Sequence, residues 1–241
     1  MTIKLSCNMQ YDVIIPTYNR ASLVIEAVES ICSQSLPPKT IIVVDDGSND
    51  GTPLLLDEYL RSSELNFKIL RQDNLGVSRA RNNGVEHSVS KFIAFLDDDD
   101  IWLPNTGYSF IKAFEESDAD VITGYFRRVD MENGTSDPEA LWNGIENIKR
   151  VLADKNVIGT SWTMLKNDQF KKVGGFDESL THCEDWDLFI KLALSGASFF
   201  QIPETLALYR EPYGARLMHN QDALDEGKVH IQNKYQMTLL E

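Results

Sequence analysis

Short apolar runs alternate with longer amphipathic stretches through the first half of this chain. The runs "DVIIP", "TIIVVDD", "FKILRQ" and "FIAFL" predict strands, and "DVITGYFRR" predicts one more. The stretches between them, such as "RASLVIEAVESICSQS", repeat apolar residues at i, i+3 and i+4, which is typical of amphipathic helices. Strands separated by helices in this way favour βαβ units. The pattern therefore predicts an α/β fold with a mostly parallel central sheet flanked by helices.

The pattern loosens from about Met131 onward. The segment that follows mixes turns, a strand, a Gly-Gly turn and a terminal helix that Gly196 is placed to end. The polar tail is predicted to be helical. We interpret 1–241 as a single domain. Its predicted parts are a first half at about 11–130, a smaller second part at about 131–212 and a C-terminal tail at 213–241.

Composition and charge narrow the class of protein. With 42% hydrophobic and 25% charged residues, the 241-residue chain is expected to fold around a packed core. Its formal net charge of −14 argues against a nucleic-acid partner, since phosphate backbones need clustered Lys and Arg. Its cysteines form no disulfide or zinc pattern, and the N-terminus has no secretion signal. We therefore expect a cytoplasmic location.

Polar and acidic segments follow each predicted strand of the first half. They are "PTYNR", "DDGSNDGT", "DNLGVSRARNNG" and "DDDD". Ligands of open parallel sheets bind outside the carboxyl ends of the strands, so these segments predict one site at one edge. The run Asp97 to Asp100 is the least expected of them. Two carboxylates about 4 Å apart repel by about 4 kcal/mol at an effective dielectric near 20. A solvated acidic turn is the structural alternative.

The spacing of residues in known ligand-binding motifs excludes several alternative ligands for such a site. The first strand is not followed by the G-x-G-x-x-G of a dinucleotide site, and the chain has no Walker A sequence to match the acidic strand end. An EF-hand loop starting at Asp97 would require Gly at Trp102 and Glu at Tyr108. An oxygen site for a hard divalent cation, Mg²⁺ or Mn²⁺, fits the acidic run best.

Six blocks together resemble a known family. "VIIPTYNR", "IIVVDDGSNDGT", "LGVSRARNNG", "FIAFLDDDDIWLP", "VGGFDESL" and "CEDWDLFIKL" have the order and spacing typical of family 2 glycosyltransferases with the GT-A fold, a Rossmann-like sheet. The match runs from about Tyr11 to Leu194. It implies that the first part of the chain binds a nucleotide sugar, usually UDP-linked, and that the smaller second part binds the acceptor.

The resemblance also implies roles for individual residues of the donor site. Tyr18 would pack against the base, and Asp46 would accept a hydrogen bond from the uracil imide. Arg79 or Arg81, with a slight preference for Arg81, would reach the base or the phosphates. The donor contacts implied in this way are Pro16, Thr17, Tyr18, Asn19, Asp46, Gly76, Arg79, Arg81, Asp97 and Asp98.

The acidic run contains the D-x-D motif of the family. The resemblance implies that Asp99 ligates the metal, while Asp97 or Asp98 holds the ribose or supports the metal through water; the two roles are left open. The chain departs from the family after "LALYR", where many members place a histidine and spaced serines. His219 in "EPYGARLMHN" is a candidate late contact to the metal or phosphate, with a solvent-exposed histidine as the alternative.

The "ED" of "HCEDWDL" matches the catalytic carboxylate motif of the family. It implies that Asp185 is the general base, with Glu184 beside it. The segment "DWDLFIKLALSG" also predicts a helix on its own pattern, so these acids lie in or beside its first turn. There the helix dipole favours ionised carboxylates. Helix capping is the structural alternative.

The resemblance implies an inverting, metal-assisted transfer of a hexose or N-acetylhexosamine from a UDP-sugar. The acceptor would be a hydroxyl of a glycan or a lipid-linked saccharide in bacterial surface polysaccharide synthesis. Such an enzyme would work in the cytoplasm, with peripheral association at the inner face of the membrane. Two alternatives stay open at this point: a non-catalytic module that binds sugar nucleotides or carbohydrate, and a nucleotidyltransferase.

Overall fold

A computed structural model describes residues 9–62, 66–130, 134–144, 146–210 and 221–235 of the chain. The strands in these ranges are β1 (Tyr11–Thr17), β2 (Thr40–Asp45), β3 (Phe67–Arg71), β4 (Phe92–Phe95), β5 (Ile101–Trp102), β6 (Val121–Asp130), β7 (Gly134–Thr135), β8 (Thr163–Lys166) and β9 (Phe199–Arg210). The helices are α1 (Ala21–Cys32), α2 (Thr52–Ser62), α3 (Val77–Glu86), α4 (Thr106–Glu116), α5 (Ile148–Asp154), α6 (Asn167–Lys172), α7 (Glu184–Leu194) and α8 (Gln221–Tyr235). A 3-10 turn spans Thr160–Trp162.

One sheet contains all of these strands, in the order β3-β2-β1-β4-β8-β6-β9-β5, with β7 paired to β6. The strands β1 to β4 pair with one another in parallel. In contrast, β8 runs antiparallel to β4 and β6, and β5 runs antiparallel to β9. The predicted α/β fold is confirmed. Its parallel part comes from the first half of the chain, and the second half adds a mixed extension.

The strands β1, β2 and β4 are buried on both faces, as their continuous apolar runs indicate. Val13 and Ile15 of β1 pack on one face in a cluster that includes Val24 of α1. Ile14 faces the other way, into a second cluster that includes Val85 of α3. Helices therefore cover both faces, and the carboxyl ends of the strands are left as the place for a site.

Glycines with a left-handed backbone lie before and just after α7, the helix predicted for the second half. Gly174 and Gly175 both have positive φ, of 78° and 69°, which fits the predicted Gly-Gly turn before α7. Gly196 has a φ of 88° two residues beyond the end of α7, so the predicted stop of this helix is confirmed. These positions favour glycine because other residues rarely adopt a left-handed backbone.

The tail contributes α8, which at 15 residues is the longest helix in the described ranges. Its Ile231 is fully buried, and Tyr235 is 9% exposed; both belong to the second core cluster. The helix therefore packs against the body of the domain. Within the residues that the structure describes, no helix has the length and apolar character that a membrane span requires.

Gly84 of α3 provides a test of the contact between this helix and β1. A Cβ at this position would overlap the Cγ2 atom of Ile14 and lie 3.3 Å from Cγ2 of Val44. We expect Gly84→Ala to lower the free energy of unfolding by about 1–3 kcal/mol, because overpacking outweighs the gain in helix propensity of about 1 kcal/mol. Urea denaturation measures the change.

Gly51→Ala is the matched control, because its added methyl group would have its nearest neighbour, Cβ of Ala21, at 3.9 Å. Its stability is expected to stay near that of the parent. Equal stabilities of the two variants would contradict the close packing of α3 on β1.

Candidate active site

The ends of β1 and β4 bring polar side chains together, as parallel pairing of these strands requires. The Thr17 hydroxyl, at the end of β1, donates a hydrogen bond of 2.7 Å to Oδ2 of Asp98. Arg20, just beyond, donates from Nη1 to Oδ2 of Asp99 at 2.6 Å. The segments that follow two strands of the predicted site are therefore in direct contact.

Asp46, directly after β2, holds the loop between β3 and α3. Its carboxylate accepts hydrogen bonds of 2.8 Å from the backbone N–H groups of Leu75 and Gly76 and from the side-chain amide of Gln72. The residue is 5% exposed, so these bonds replace most of its hydration. The left-handed φ of 93° at Gly76 lets the loop turn into α3. Asp46 therefore shapes this corner of the site before any ligand is present.

The loop after β1 is fastened to the loop after β2 through Asn19. Its Oδ1 accepts from the backbone N–H of Asn49 at 2.8 Å, and its own N–H donates to the Ser48 hydroxyl at 2.8 Å. Asn19 has a φ of 52°, which Asn tolerates better than most residues. Pro16 lies within β1, and the neighbouring Tyr18 leaves 41% of its surface exposed. An exposed aromatic ring is therefore available at the carboxyl end of β1, the neighbour of the strand that Asp46 follows.

Arg81 is the buried cation of the site. Its guanidinium donates to Oδ1 of Asp97 at 2.6 Å and to Oε1 of Glu184 at 2.8 Å. The same group lies over the Phe176 ring, 5.1 Å from its centroid. Burial lowers the pKa of Arg81, but the two carboxylates outweigh burial and raise it, so the group stays charged.

The two arginines of α3 therefore differ in their surroundings. Arg81 joins the strand-end acids to the "ED" motif, although the two motifs are far apart in sequence. Arg79 faces the partly exposed side of α3 and pairs with Glu86 and Glu178 at 3.3 and 3.2 Å. A contact between either arginine and a nucleotide stays a prediction.

The strand-end carboxylates turn towards different partners. Asp97 pairs with Arg81, Asp98 with the Thr17 hydroxyl, and Asp99 with Arg20. Burial, and then the charge of Asp99, raise the pKa of Asp98 to about 7, against the opposing effects of Arg20 and the Thr17 hydrogen bond. A proton shared with this crowded group relieves part of the repulsion that the sequence predicts.

The acidic run could supply one or two ligands to a divalent cation, but not a complete coordination shell. Among the residues that the structure describes, no group of three or more His, Cys, Asp or Glu side chains converges closely enough to hold a metal ion. Magnesium-type cations, however, are commonly held by one or two carboxylates, with ligand phosphates and water completing the shell. Asp99, with Asp97 nearby in the same turn, supplies oxygen donors of the right kind. His219 lies outside the described residues.

Asp185 lies in the first turn of α7. The residue before this helix, Cys183, has a left-handed φ of 62°. Oδ2 of Asp185 accepts from the side-chain amide of Asn156 at 2.8 Å, and its Oδ1 from the backbone N–H of Trp186 at 2.7 Å. Burial, and then the charge of Glu184, raise the pKa of Asp185 well above its usual range, although Arg81 opposes the shift. A carboxylate with a raised pKa can accept a proton near neutral pH.

Three residues of this site were not identified from the sequence. Arg20 lies in the quoted "PTYNR", and Arg210 in "LALYR", where it donates from Nε to the Asp99 carbonyl and from its backbone N–H to Asp100 at 3.2 Å. Asn156 lies in the loosely patterned second half. The position of Arg20, just after the strand that pairs with β4, is a usable signal, whereas nothing local marks Arg210 as a partner of the acidic run or Asn156 as a partner of Asp185.

The pKa of Asp98 predicts a pH dependence of stability. A folded-state pKa of about 7, against about 4 in the unfolded chain, means that the native state keeps this proton while the unfolded state loses it. The free energy of unfolding should therefore fall as pH rises from about 4 to 7. Asp98→Asn should reduce this decline by up to about 4 kcal/mol, measured by denaturation in a chelating buffer.

The exposed Asp73 provides the control for that measurement. Asp73→Asn should keep the full decline of the parent protein. A decline of the same size in Asp98→Asn would show that Asp98 is not the group that holds the proton.

The fold is shared with solved glycosyltransferases. Staphylococcus aureus TarS 1–349, solved in complex with UDP-GlcNAc, superposes with a TM-score of 0.72 at 23% identity, covering 86% of this chain and 60% of TarS. The mannosyltransferase PcManGT from Pyrobaculum calidifontis, solved with GDP-Man and Mn²⁺, gives a TM-score of 0.67 at 20% identity, over 88% of this chain and 59% of that chain. These likenesses confirm the predicted GT-A fold.

Sequence comparison identifies the family. The minor teichoic acid biosynthesis protein GgaA of Bacillus subtilis (strain 168) is 29% identical over 211 residues, which cover 83% of this chain and 47% of GgaA. The chain spans about half of the length of several curated relatives that it matches. The model for glycosyl transferase family 2 matches residues 12–169, well over half of the chain. The chain therefore belongs to glycosyl transferase family 2.

Proposed function

We propose that this chain is an inverting transferase that moves a hexose or an N-acetylhexosamine from a UDP-sugar to a hydroxyl of a glycan or lipid-linked saccharide. The observation that carries the proposal is the Arg81 bridge between Asp97 and Glu184. Glu184 directly precedes Asp185, a carboxylate of raised pKa, so the bridge links the start of the helix that carries the candidate base to the strand-end acids. The names of GgaA and of the TarS complex support a surface polymer and a UDP-sugar.

The donor would bind along the carboxyl ends of β1 to β4. The exposed ring of Tyr18 would stack on the base, and Asp46 would accept the imide N–H, using lone pairs that its loop contacts leave over. Asp97 or Asp98 is proposed to hold the ribose or to support the metal through water. Further contacts along this edge are proposed for Pro16, Thr17, Asn19 and Gly76, and for Arg79 or Arg81, with a slight preference for Arg81.

Asp99, supported by Asp97, would hold Mn²⁺ or Mg²⁺. Bound there, such a cation would act as a Lewis acid that offsets the charge of the diphosphate. In the structure Arg20 pairs with the Asp99 carboxylate at 2.6 Å. Arg210 fixes the backbone of the same turn through the Asp99 carbonyl.

Asp185 would act as the general base. As the acceptor oxygen forms its bond to the anomeric carbon, the bond from that carbon to the phosphate oxygen breaks, and its electron pair leaves with UDP. The acceptor proton passes to the carboxylate of Asp185. A single displacement from the opposite face inverts the configuration, and no covalent intermediate on the protein is required. Asn156 and Glu184 would orient and tune the base.

The location and acceptor follow from the same proposal. Nucleotide sugars and lipid-linked saccharides meet at the cytoplasmic face of a bacterial membrane, so we propose that the protein associates peripherally with that surface. With a net charge of −14, the chain has no general attraction to anionic lipids. Association through the acceptor is therefore the favoured route.

The base is tested by Asp185→Asn, which removes the proton acceptor but preserves shape. We expect turnover to fall by about 10²- to 10⁴-fold, while UDP affinity stays near that of the parent protein. Mass spectrometry of the products from a panel of UDP-sugars, together with UDP release, measures the rate. The exposed Asp154 gives the control variant Asp154→Asn, expected at full activity. Near-normal turnover of Asp185→Asn would remove this residue from the proposed role.

The metal ligand is tested by Asp99→Ala. Calorimetric titration of UDP with and without Mn²⁺ should show metal-dependent tightening in the parent protein and none in the variant. The reason is that the cation would link Asp99 to the diphosphate. Asp168→Ala, at an exposed position on α6, is the control. Metal-dependent binding that survives in Asp99→Ala would place the cation elsewhere.

A further inference from the structure

One face of α8 contacts α7 and the residues that precede it. Gly227, Ile231, Lys234 and Tyr235 are spaced four, three and one residues apart, which places them along one side of a helix. Ile231 and Tyr235 belong to the same core cluster as Trp186 and Leu188 of α7. The tail helix therefore shares a core cluster with the element that carries Asp185, and it also packs against α5.

The polar end of this face binds Asp187, one of the most deeply buried acids. Asp187 is 0% exposed and lies two residues after Asp185. Its Oδ1 accepts hydrogen bonds from Lys234 at 2.8 Å and from the Tyr235 hydroxyl at 2.7 Å. Lys191, one turn along α7, lies 2.9 Å from Oδ2. Two of these three partners come from α8.

The other end of this face touches the start of α7. A Cβ at Gly227 would lie 3.2 Å from the Cys183 sulfur and 3.2 Å from Cβ of His182. Cys183 is the left-handed residue at which α7 begins. The absence of a side chain at Gly227 thus allows α8 to approach the residues immediately before Glu184 and Asp185.

Lys234 extends the same network to the loop before α7. Its ammonium group also lies 2.9 Å from Oδ2 of Asp177, and the hydrogen bonds of Asp177 to Ser179 and Lys234 lower its pKa. A buried carboxylate is stable only while its partners remain. Loss of the α8 partners would leave Asp187 with Lys191 alone among these three groups, so the first turns of α7 would have to shift.

We propose that α8 is a positioning element for the base. Its hydrogen bonds to Asp187 and its contact with Cys183 fix the first turn of α7, and with it the direction of the Asp185 carboxylate. The inference rests on the proposed role of Asp185. It assigns Lys234 and Tyr235 an effect on the rate of transfer although neither touches the reacting atoms. The hydrogen bonds described for Lys234 and Tyr235 go to α7 and to the loop before it, not to the strand ends of β1 to β4.

The test compares two lysines of α8. Lys234→Met should lower kcat by about 10- to 100-fold, because small displacements of a catalytic group have effects of that size, while UDP affinity and the donor KM stay unchanged. Lys234→Arg should restore much of kcat by rebuilding the ion pair. Lys228→Met is the control, since Lys228 is half exposed and pairs with Asp225 of the same helix at 3.1 Å; its kcat should match the parent.

A double variant separates this inference from the proposed function. In an Asp185→Asn background, Lys234→Met should cause no further loss, because its effect passes through the missing carboxylate. An equal loss in both backgrounds, a parallel loss of UDP binding, or parental kcat in Lys234→Met would each overturn the role of α8. Parental kcat in Asp185→Asn alone would instead overturn the proposed base.

Tyr235→Phe covers the case in which Lys234→Met does not fold. It removes a single hydrogen bond to Asp187 and keeps the ring in the core. A smaller kcat loss in the same direction, at parental donor KM, is expected. Parental kcat in this variant would overturn the inference when the lysine variant cannot be measured.

Discussion

The arrangement of the site depends on one ion triad, centred on a buried arginine. The Arg81 guanidinium on α3 holds Asp97 at the end of β4 and Glu184 at the start of α7, and it lies over the Phe176 ring. Removing one member of such a group usually costs about 3–5 kcal/mol, because the remaining charge is left buried and unpaired. The triad therefore joins the two parts of the site, and neither part can move far without exposing or isolating a charge.

Three arginines, one of them the centre of the triad, explain how acidic groups can gather in a protein of net charge −14. Arg20, Arg81 and Arg210 each contact the strand-end turn from a different element. Arginine suits this position because its planar group stays charged when buried and can bind two acceptors at once. The repulsion inside the acidic run is thus balanced locally by fixed cations, and by the proton that Asp98 tends to keep.

The first half of the fold could be predicted because its signals are local. Each strand from β1 to β4 is a continuous apolar run, and parallel pairing brings their ends to one edge, which located Thr17, Asp46 and the acidic run. The partners of these residues could not be predicted. Arg81 and Glu184 are 103 positions apart, and Asn156 is a polar residue in a loop without a pattern. The mixed extension was missed since β8 inserts between β4 and β6, a pairing that no turn signal encodes.

The hydrogen bonds of Asp46 have a consequence for how a ligand is received. The corner between β3 and α3 is held by two backbone N–H groups and one amide, all bonded to a single buried carboxylate. The conformational entropy of this loop is lost when the chain folds, so a ligand that binds there would not have to order the loop. Rigidity at this corner also means that any movement on entry or release of a ligand has to come from other segments.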